Sequence, residues 1–331
     1  MIQFQVFLRI CTVITGLVIC AIAASDSVSA GAVTFGTGAN TFTMDFTTIG
    51  SPGNADDTTG DPNPAGAVGY TYQMGTYEVS EDMITKYNAN FGTANSLAIT
   101  KSARGADKPA TDVSWNEAAR FVNWLNTSQG YQAAYNFTTT GVNDNIALWS
   151  SGDAWQQDGE NLFRNKDAHF WLPSMDEWYK AAFYDPVTDT YREYATANGL
   201  VPTAVASGTG ANTAVFGGQY EVADITLAGG LSAFGVMSLS GNVWEWDETS
   251  YDLSNSSASS SRGLRGGYWH SFSFDVSSSV RYDYNPVYEG DYGLGFRVAS
   301  HSSAAVPEPA SCMVWSVLGL AGWWYRGRRR K

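Results

Sequence analysis

The protein has 331 residues and a formal net charge of −13, from 19 Lys and Arg against 32 Asp and Glu. Aromatic residues make up 14% of the chain, too many for a disordered protein, because such rings need a core that buries them. The acid excess repels phosphate backbones, so nucleic acid is excluded as a partner.

The N-terminal residues 1–30 are typical of a secretory signal peptide. One basic residue, Arg9, precedes an apolar run from Ile10 to Ala24, and Val28-Ser29-Ala30 supplies small residues before a cleavage point. Cleavage after Ala24 is a second option. Because the apolar run is short for a retained anchor, we expect an exported protein whose mature domain covers residues 31–305.

The cysteines lie only in the end segments, at Cys11, Cys20 and Cys312. The domain 31–305 therefore has neither a thiol nor a disulfide. It holds 13 of the Lys and Arg and 30 of the Asp and Glu, a net charge of −17. An exported domain without disulfides depends on its core, its hydrogen bonds and, in some cases, metals.

Local patterns predict a mixture of short strands and short helices. The alternating segment Thr41–Thr48 predicts a first strand, and Val68–Val79 predicts a second strand region. Ser80 is a helix cap for a segment that runs to about Ala89.

Two capping boxes predict two further helices. Ser114 with Glu117, and Ser174 with Glu177, have the spacing at which each side chain bonds the other residue's backbone N–H. The polar segment between the boxes, Thr127–Lys166, is interpreted as an insertion on the surface or as part of a binding rim.

The stretch Leu239–His270 carries the densest motif. Gly241-Asn242 predicts a tight turn, since both residues tolerate positive φ. Val243–Trp246 predicts a short strand whose two tryptophans must be buried on the face opposite Glu245. Gly266-Gly267 predicts a bend or a close backbone approach.

These blocks resemble the formylglycine-generating-enzyme-like family, also called the sulfatase-modifying-factor domain. Its signatures SGNVWEW, LRGGSW and LGFR correspond here to Ser240–Trp246, Leu264–Trp269 and Leu294–Arg297. Further matches, in the family's order, are Tyr77–Ser80, Val113–Trp115, Trp124-Leu125, Leu172–Ser174 and Glu177-Trp178. The resemblance implies an α+β fold that is irregular, loop-rich and related to C-type lectins.

The resemblance also argues against two metal chemistries. Formylglycine-generating members use two cysteines after the Gly-Gly motif to bind copper and process a substrate thiol, and the matching stretch Trp269–Val276 has no Cys. Members similar to ergothioneine sulfoxide synthase bind iron through histidines of a separate helical domain. Here His169, His270 and His301 lie far apart in the sequence, so neither a copper nor an iron site is expected.

Structural calcium is the cofactor that the resemblance allows. Family members bind calcium through the Glu of the SGNVWEW block and nearby backbone carbonyls, which corresponds here to Glu245 with the carbonyls of Gly241 and Val243. The alternative for Glu245 is an ion pair with Arg265 or Arg297. Both interpretations stay open.

A candidate pocket follows the Gly-Gly motif. It consists of Trp269, His270, Ser271, Asp275, Arg281 and Tyr282. Aromatic residues with polar tips are common in saccharide and peptide sites. For His270, a metal site with Asp275 and Asp283 is a weaker interpretation than a surface position. Arg281 is expected to lock loops through forked hydrogen bonds. Convergence of His270, Asp275, Arg281 and Tyr282 favours an enzyme, whereas a shallow pocket favours binding.

The C-terminal residues 306–331 have the pattern of a sorting signal. Val306-Pro307-Glu308-Pro309 precedes an uncharged run, Ala310–Tyr325, and a basic end. As a helix this run spans roughly 24 Å, short of the ~30 Å core of a bilayer. The combination resembles a PEP-CTERM signal, which implies a short transmembrane segment and cleavage by an exosortase-type enzyme in a Gram-negative bacterium. An ordinary membrane anchor is the alternative.

We therefore expect an exported protein at the outer surface of the cell envelope or in the extracellular matrix. The predicted function is a binding or structural module, with extracellular polysaccharide or peptide as its partner, and not a formylglycine-generating oxidase. The alternative is an enzyme of the same family with a different oxidative or modifying activity.

Overall fold

The computed structural model describes residues 31–138, 141–288 and 293–302. The predicted signal peptide and sorting signal lie outside these ranges. No helix within them combines the length and the apolar character that crossing a bilayer requires.

The described residues form short strands around three α-helices. The strands are β1 (Gly31–Phe35), β2 (Phe42–Ile49), β3 (Tyr72–Gly75), β4 (Ala154–Trp155), β5 (Asn161–Asn165), β6 (Phe170–Trp171), β7 (Tyr184–Asp185), β8 (Thr190–Tyr191), β9 (Thr203–Ala204), β10 (Thr213–Ala214), β11 (Trp244–Ser250), β12 (Arg262–Arg265), β13 (Tyr282–Tyr284), β14 (Leu294–Gly295) and β15 (Ala299–His301). The helices are α1 (Glu81–Tyr87), α2 (Trp115–Ser128) and α3 (Met175–Phe183).

The larger sheet has five strands in the order β1-β2-β3-β15-β6, with antiparallel neighbours. Strand β2 alternates buried and exposed residues over its first half, which confirms the strand predicted from Thr41–Thr48. The last described strand, β15, lies between β3 and β6 and hydrogen-bonds to both.

The second sheet, in the order β13-β12-β11-β14, contains the densest sequence motif. Strand β11 is antiparallel to β12 and parallel to β14. Gly241 and Asn242 have φ of 93° and 63°, which confirms the tight turn before β11. A Cβ on Gly266 would lie 3.3 Å from the Trp178 ring, which confirms the predicted close approach.

All three predicted helices are present. Each begins at a cap that is formed by residues within one turn of one another. Ser114 with Glu117, and Ser174 with Glu177, form both reciprocal bonds of a capping box. The Ser80 side chain accepts from the backbone N–H of Met83 at the start of α1.

One continuous core lies between the helices and the two sheets, and its largest fully buried apolar side chains are Trp115, Trp171, Trp178 and Trp246. The indole N–H of Trp246 donates to the Val113 carbonyl at 2.9 Å. The prediction that both tryptophans of the motif are buried is wrong for Trp244, which stays partly exposed beside a cleft.

The segment Thr127–Lys166 contributes to the core as well as to the surface. Its buried side chains include Tyr135, Trp155, Phe163 and Arg164. The interpretation of this segment as a surface insertion is therefore wrong for these side chains, three of which belong to the antiparallel β4–β5 pair.

Candidate functional site

A surface cleft of about 280 Å³ lies against the second sheet, and we call it the aromatic cleft. It is lined by Trp244, Leu264, Tyr268, Ser271, Asp275, Tyr282, Asp283, Tyr284 and Leu294. Three of the six candidate pocket residues, Ser271, Asp275 and Tyr282, therefore lie together in this cleft.

Two aromatic pairs shape the cleft. Trp244 meets Tyr282 edge to face at 5.1 Å, and Tyr284 stacks on Tyr288, which lies outside the lining, at 4.5 Å between ring centroids. Tyr282 is 48% exposed. The cleft thus offers exposed ring surface together with phenol groups, which suits a ligand that is apolar on one face and polar on its edges.

Local hydrogen bonds hold the polar side of the cleft. The backbone N–H of Phe272 donates to Asp275 Oδ2 at 2.9 Å, and the N–H of Tyr268 donates to Ser271 Oγ at 3.1 Å. The Tyr282 hydroxyl lies 3.5 Å from Asp275 Oδ1. Partial burial and the Asp275 carboxylate raise the pKa of Tyr282, so its phenol stays protonated at neutral pH and is able to donate to a ligand.

The other three candidate residues do not line the cleft. Trp269 is buried in a small apolar cluster, under the Arg104 guanidinium at 4.8 Å from its ring centroid. His270 is exposed on the loop. Arg281 is buried in a forked ion pair with Asp247, at 3.0 and 3.1 Å, where it ties β13 to β11. The four polar groups expected of an enzyme are therefore not assembled in one pocket.

Glu245 is fully buried at the centre of the motif. Its Oε2 accepts from Arg297 Nε at 2.6 Å and from the Trp178 indole at 2.7 Å, and Arg297 Nη2 donates to its Oε1. Of the two arginines considered for Glu245, Arg297 forms the ion pair, whereas Arg265 donates to the Val280 carbonyl.

A second buried carboxylate, Glu78, borders this ion pair. Its two oxygens accept from the Ser238 hydroxyl at 2.9 Å and from the Asn242 amide at 2.6 Å. Burial and the Glu245 charge raise the pKa of Glu78 to about 8, although Arg297 opposes the shift. Glu78 belongs to one of the matching sequence blocks, but its partners lie more than 150 residues away, so the local pattern does not reveal this contact.

The described residues offer limited support for a metal. Within the described ranges, no three His, Cys, Asp or Glu side chains are close enough to share an ion. Asp275 and Asp283 line the aromatic cleft without His270. At Glu245 both carboxylate oxygens already accept from Arg297, so the donor set does not fit calcium unless the ion displaces that guanidinium.

Comparison with family models matches residues 27–302 to the sulfatase-modifying factor enzyme 1-like domain. The chain belongs to the sulfatase-modifying factor family. A search of curated proteins finds no match. Among solved structures, Treponema denticola variable protein 1 is 19% identical with a TM-score of 0.56, covering 83% of this chain and 100% of that one. CarF is 18% identical with a TM-score of 0.56, and the match covers 78% of this chain and 99% of CarF.

The family membership and these similar structures confirm the α+β, loop-rich fold, whereas a relation to C-type lectins stays a prediction. In this sulfatase-modifying factor domain, the stretch after the Gly-Gly motif contributes Ser271 and Asp275 to the aromatic cleft.

Proposed function

We propose that the protein is an exported binding module whose aromatic cleft holds a neutral saccharide or a peptide of the extracellular matrix. The observation that carries the proposal is the pairing of exposed rings with phenol and carboxylate groups in one shallow cleft. Two carboxylates, Asp275 and Asp283, lie among the rings and disfavour anionic ligands. Aromatic side chains contribute large contact areas at low entropic cost, so they are effective anchors for a flat ligand.

The proposal predicts that Tyr282→Ala weakens binding about tenfold, because the variant loses a ring face and a hydrogen-bond donor. Binding is followed by intrinsic fluorescence, since Trp244 packs against Tyr282. The ligands are neutral oligosaccharides, uronic-acid oligosaccharides and short peptides.

Tyr220→Ala is the matched control for Tyr282→Ala. Tyr220 is fully exposed and does not line the cleft, so its removal should leave the affinity unchanged. Preference for anionic oligosaccharides, or equal affinities of Tyr282→Ala and the wild type, would contradict the proposal. Chemical conversion of the bound ligand, detected by mass spectrometry, would instead support the enzyme alternative.

Export and anchoring are the second part of this proposal, and they rest on the two end segments. The mature protein is expected to lack residues 1–30 and the basic end after Tyr325. Mass spectrometry of envelope protein from the producing cells tests this expectation. Peptides that contain Trp323 to Arg326 in the mature surface form would argue for an ordinary membrane anchor.

Calcium binding through Glu245, Gly241 and Val243 is a third part, and it requires the ion to take the place of Arg297. A ligand that binds only the folded state stabilises it by about 2.7 kcal/mol at a hundredfold excess over Kd. The melting temperature is then expected to rise with millimolar calcium and to fall with chelator. Glu245→Gln should lose this response. If the melting temperature of the wild type changes with neither calcium nor chelator, the calcium proposal is wrong and Glu245 serves as the ion-pair partner of Arg297.

A further inference from the structure

Two of the protein's three histidines lie side by side at one end of the larger sheet. His169 comes directly before β6, and His301 ends β15. The β6–β15 ladder pairs Phe170 with Ser300, so the next position of the antiparallel register places His169 opposite His301. The backbone N–H of His301 donates to the His169 carbonyl at 3.0 Å, and the two ring centroids lie 5.8 Å apart. We call these two residues the histidine pair.

Aromatic rings from several elements pack against the histidine pair. Tyr131, in the loop after α2, stacks on His169 with 4.4 Å between ring centroids. The His301 ring lies 4.8 Å from the Trp171 ring and 5.4 Å from the Trp155 ring. Both imidazoles are partly buried as a result. This packing removes much of the water that solvates an imidazolium, so it favours the neutral form of both rings.

Protonation of the histidine pair is unfavourable while the two strands are paired. Burial and the facing His301 lower the pKa of His169 to about 4. At His301, burial and the Arg164 guanidinium act to lower the pKa. The Glu177 carboxylate and the Ala168 carbonyl act to raise it, and the net change is downward. Both imidazoles are therefore neutral at neutral pH in the folded protein.

The strand pairing beside the histidine pair is short. Strand β6 consists of Phe170 and Trp171, and it forms one edge of the larger sheet. In the described part of the chain, β6 and β15 are joined by two residue pairs. A short edge strand opens at a smaller free-energy cost than the centre of a sheet. Opening separates the two imidazoles and exposes them to water, where each takes up a proton near the ordinary histidine pKa of roughly 6.5.

We propose that the histidine pair is an acid-sensitive clasp between β6 and β15. At neutral pH the uncharged rings pack against each other and against the surrounding aromatic rings, which holds the two strands together. In acid, a proton on either ring brings a charge into this packed cluster, and protons on both rings repel each other across the ladder. The clasp therefore opens as the surroundings become acidic. The proposal is independent of the aromatic cleft and of its ligand.

The direction of the pH dependence follows from which arrangement binds more protons. The opened arrangement has the ordinary histidine pKa, roughly 6.5, whereas the paired arrangement has lower values. The opened arrangement therefore binds more protons throughout this interval. The stabilising contribution of the clasp is fully present above roughly pH 6.5 and is lost as pH falls towards the pKa of His169, about 4.

The test is amide hydrogen exchange of the purified full-length protein at roughly pH 7 and pH 5, on either side of the ordinary histidine pKa. Protection is expressed relative to the unfolded chain at the same pH, because exchange itself depends on pH. The probe is the amide of residue 301, which donates to the His169 carbonyl. We expect its protection to fall about tenfold at the lower pH. The β1–β2 ladder, at the opposite edge of the same sheet, should keep its protection.

The decisive variant is His169→Phe with His301→Phe, which keeps two rings in the cluster and removes the groups that take up protons. Its protection at residue 301 should be the same at both pH values. The single variants His169→Phe and His301→Gln should each lose part of the pH response, so the test stands if the double variant does not fold. His270→Phe is the matched control, because His270 is exposed on a loop, and it should respond like the wild type. Unchanged wild-type protection at residue 301, an equal fall in the β1–β2 ladder, or a full response in a folded double variant would overturn the proposal. If the double variant does not fold, a full response in both single variants would do the same.

Discussion

Replacing Arg164 by methionine is expected to destabilise the protein by about 3–5 kcal/mol, because it leaves two buried carboxylates without their shared counter-charge. The Arg164 side chain is 1% exposed and bonds Glu177 and Glu248 with its three nitrogens. Its guanidinium also lies over the Trp171 ring at 4.6 Å. The loss is measured by urea unfolding followed by tryptophan fluorescence.

The two carboxylates respond differently to the shared guanidinium. Burial acts to raise both pKa values, but Arg164 and several hydrogen bonds hold the pKa of Glu177 below its usual range. At Glu248 burial outweighs Arg164, and the pKa is raised. Adding Glu248→Gln to Arg164→Met should recover part of the lost stability, because it removes one of the two buried carboxylates that are left without a counter-charge. A loss below about 1 kcal/mol for Arg164→Met would contradict this account.

Glu78 is expected to make the protein less stable as pH rises. Its pKa is raised from 4.5 to about 8 by burial and by the neighbouring Glu245, so the folded state holds a proton that the unfolded chain releases. The stabilising contribution is fully present below the unfolded pKa near 4.5. It decreases as pH rises through the window up to about 8 and is absent above it.

The control for this pH dependence is Glu78→Gln, which keeps one acceptor oxygen, as the protonated carboxyl does, and cannot ionise. Melting temperatures of wild type and variant, measured from pH 5 to pH 9 (roughly the titration window), should diverge as pH rises, with the variant more stable at the alkaline end. Parallel curves for the two proteins would show that Glu78 is ionised in the folded state throughout.

The features predicted correctly from sequence are those fixed within a few residues. A capping box spans four residues, so Ser114 and Glu117 specify the start of α2 without information from the rest of the fold. The turn at Gly241-Asn242 is specified in the same way by residues that tolerate positive φ. Ser271 and Asp275 lie together in the aromatic cleft because the loop from Tyr268 to Asp275 is closed by its own hydrogen bonds.

The features missed from sequence depend on residues distant in the chain. Arg164 and Glu248 are 84 positions apart, and Glu78 and Asn242 are 164 apart. Nothing in the local pattern of a polar segment distinguishes a buried arginine from an exposed one. The sequence predicts that Arg281 locks loops and also assigns it to the candidate pocket, because the local pattern does not reveal that Asp247 faces it.

The position of β15 has a consequence for the order in which the chain becomes a stable protein. Strands β3 and β6 are synthesised long before β15, and each keeps an open hydrogen-bonding edge until β15 fills the space between them. Contacts between residues so far apart in sequence form slowly. A chain that is interrupted shortly after Val298 would keep both edges unpaired and would be exposed to aggregation and proteolysis. Completion of the larger sheet therefore depends on β15, so a chain that lacks this strand keeps two unpaired sheet edges.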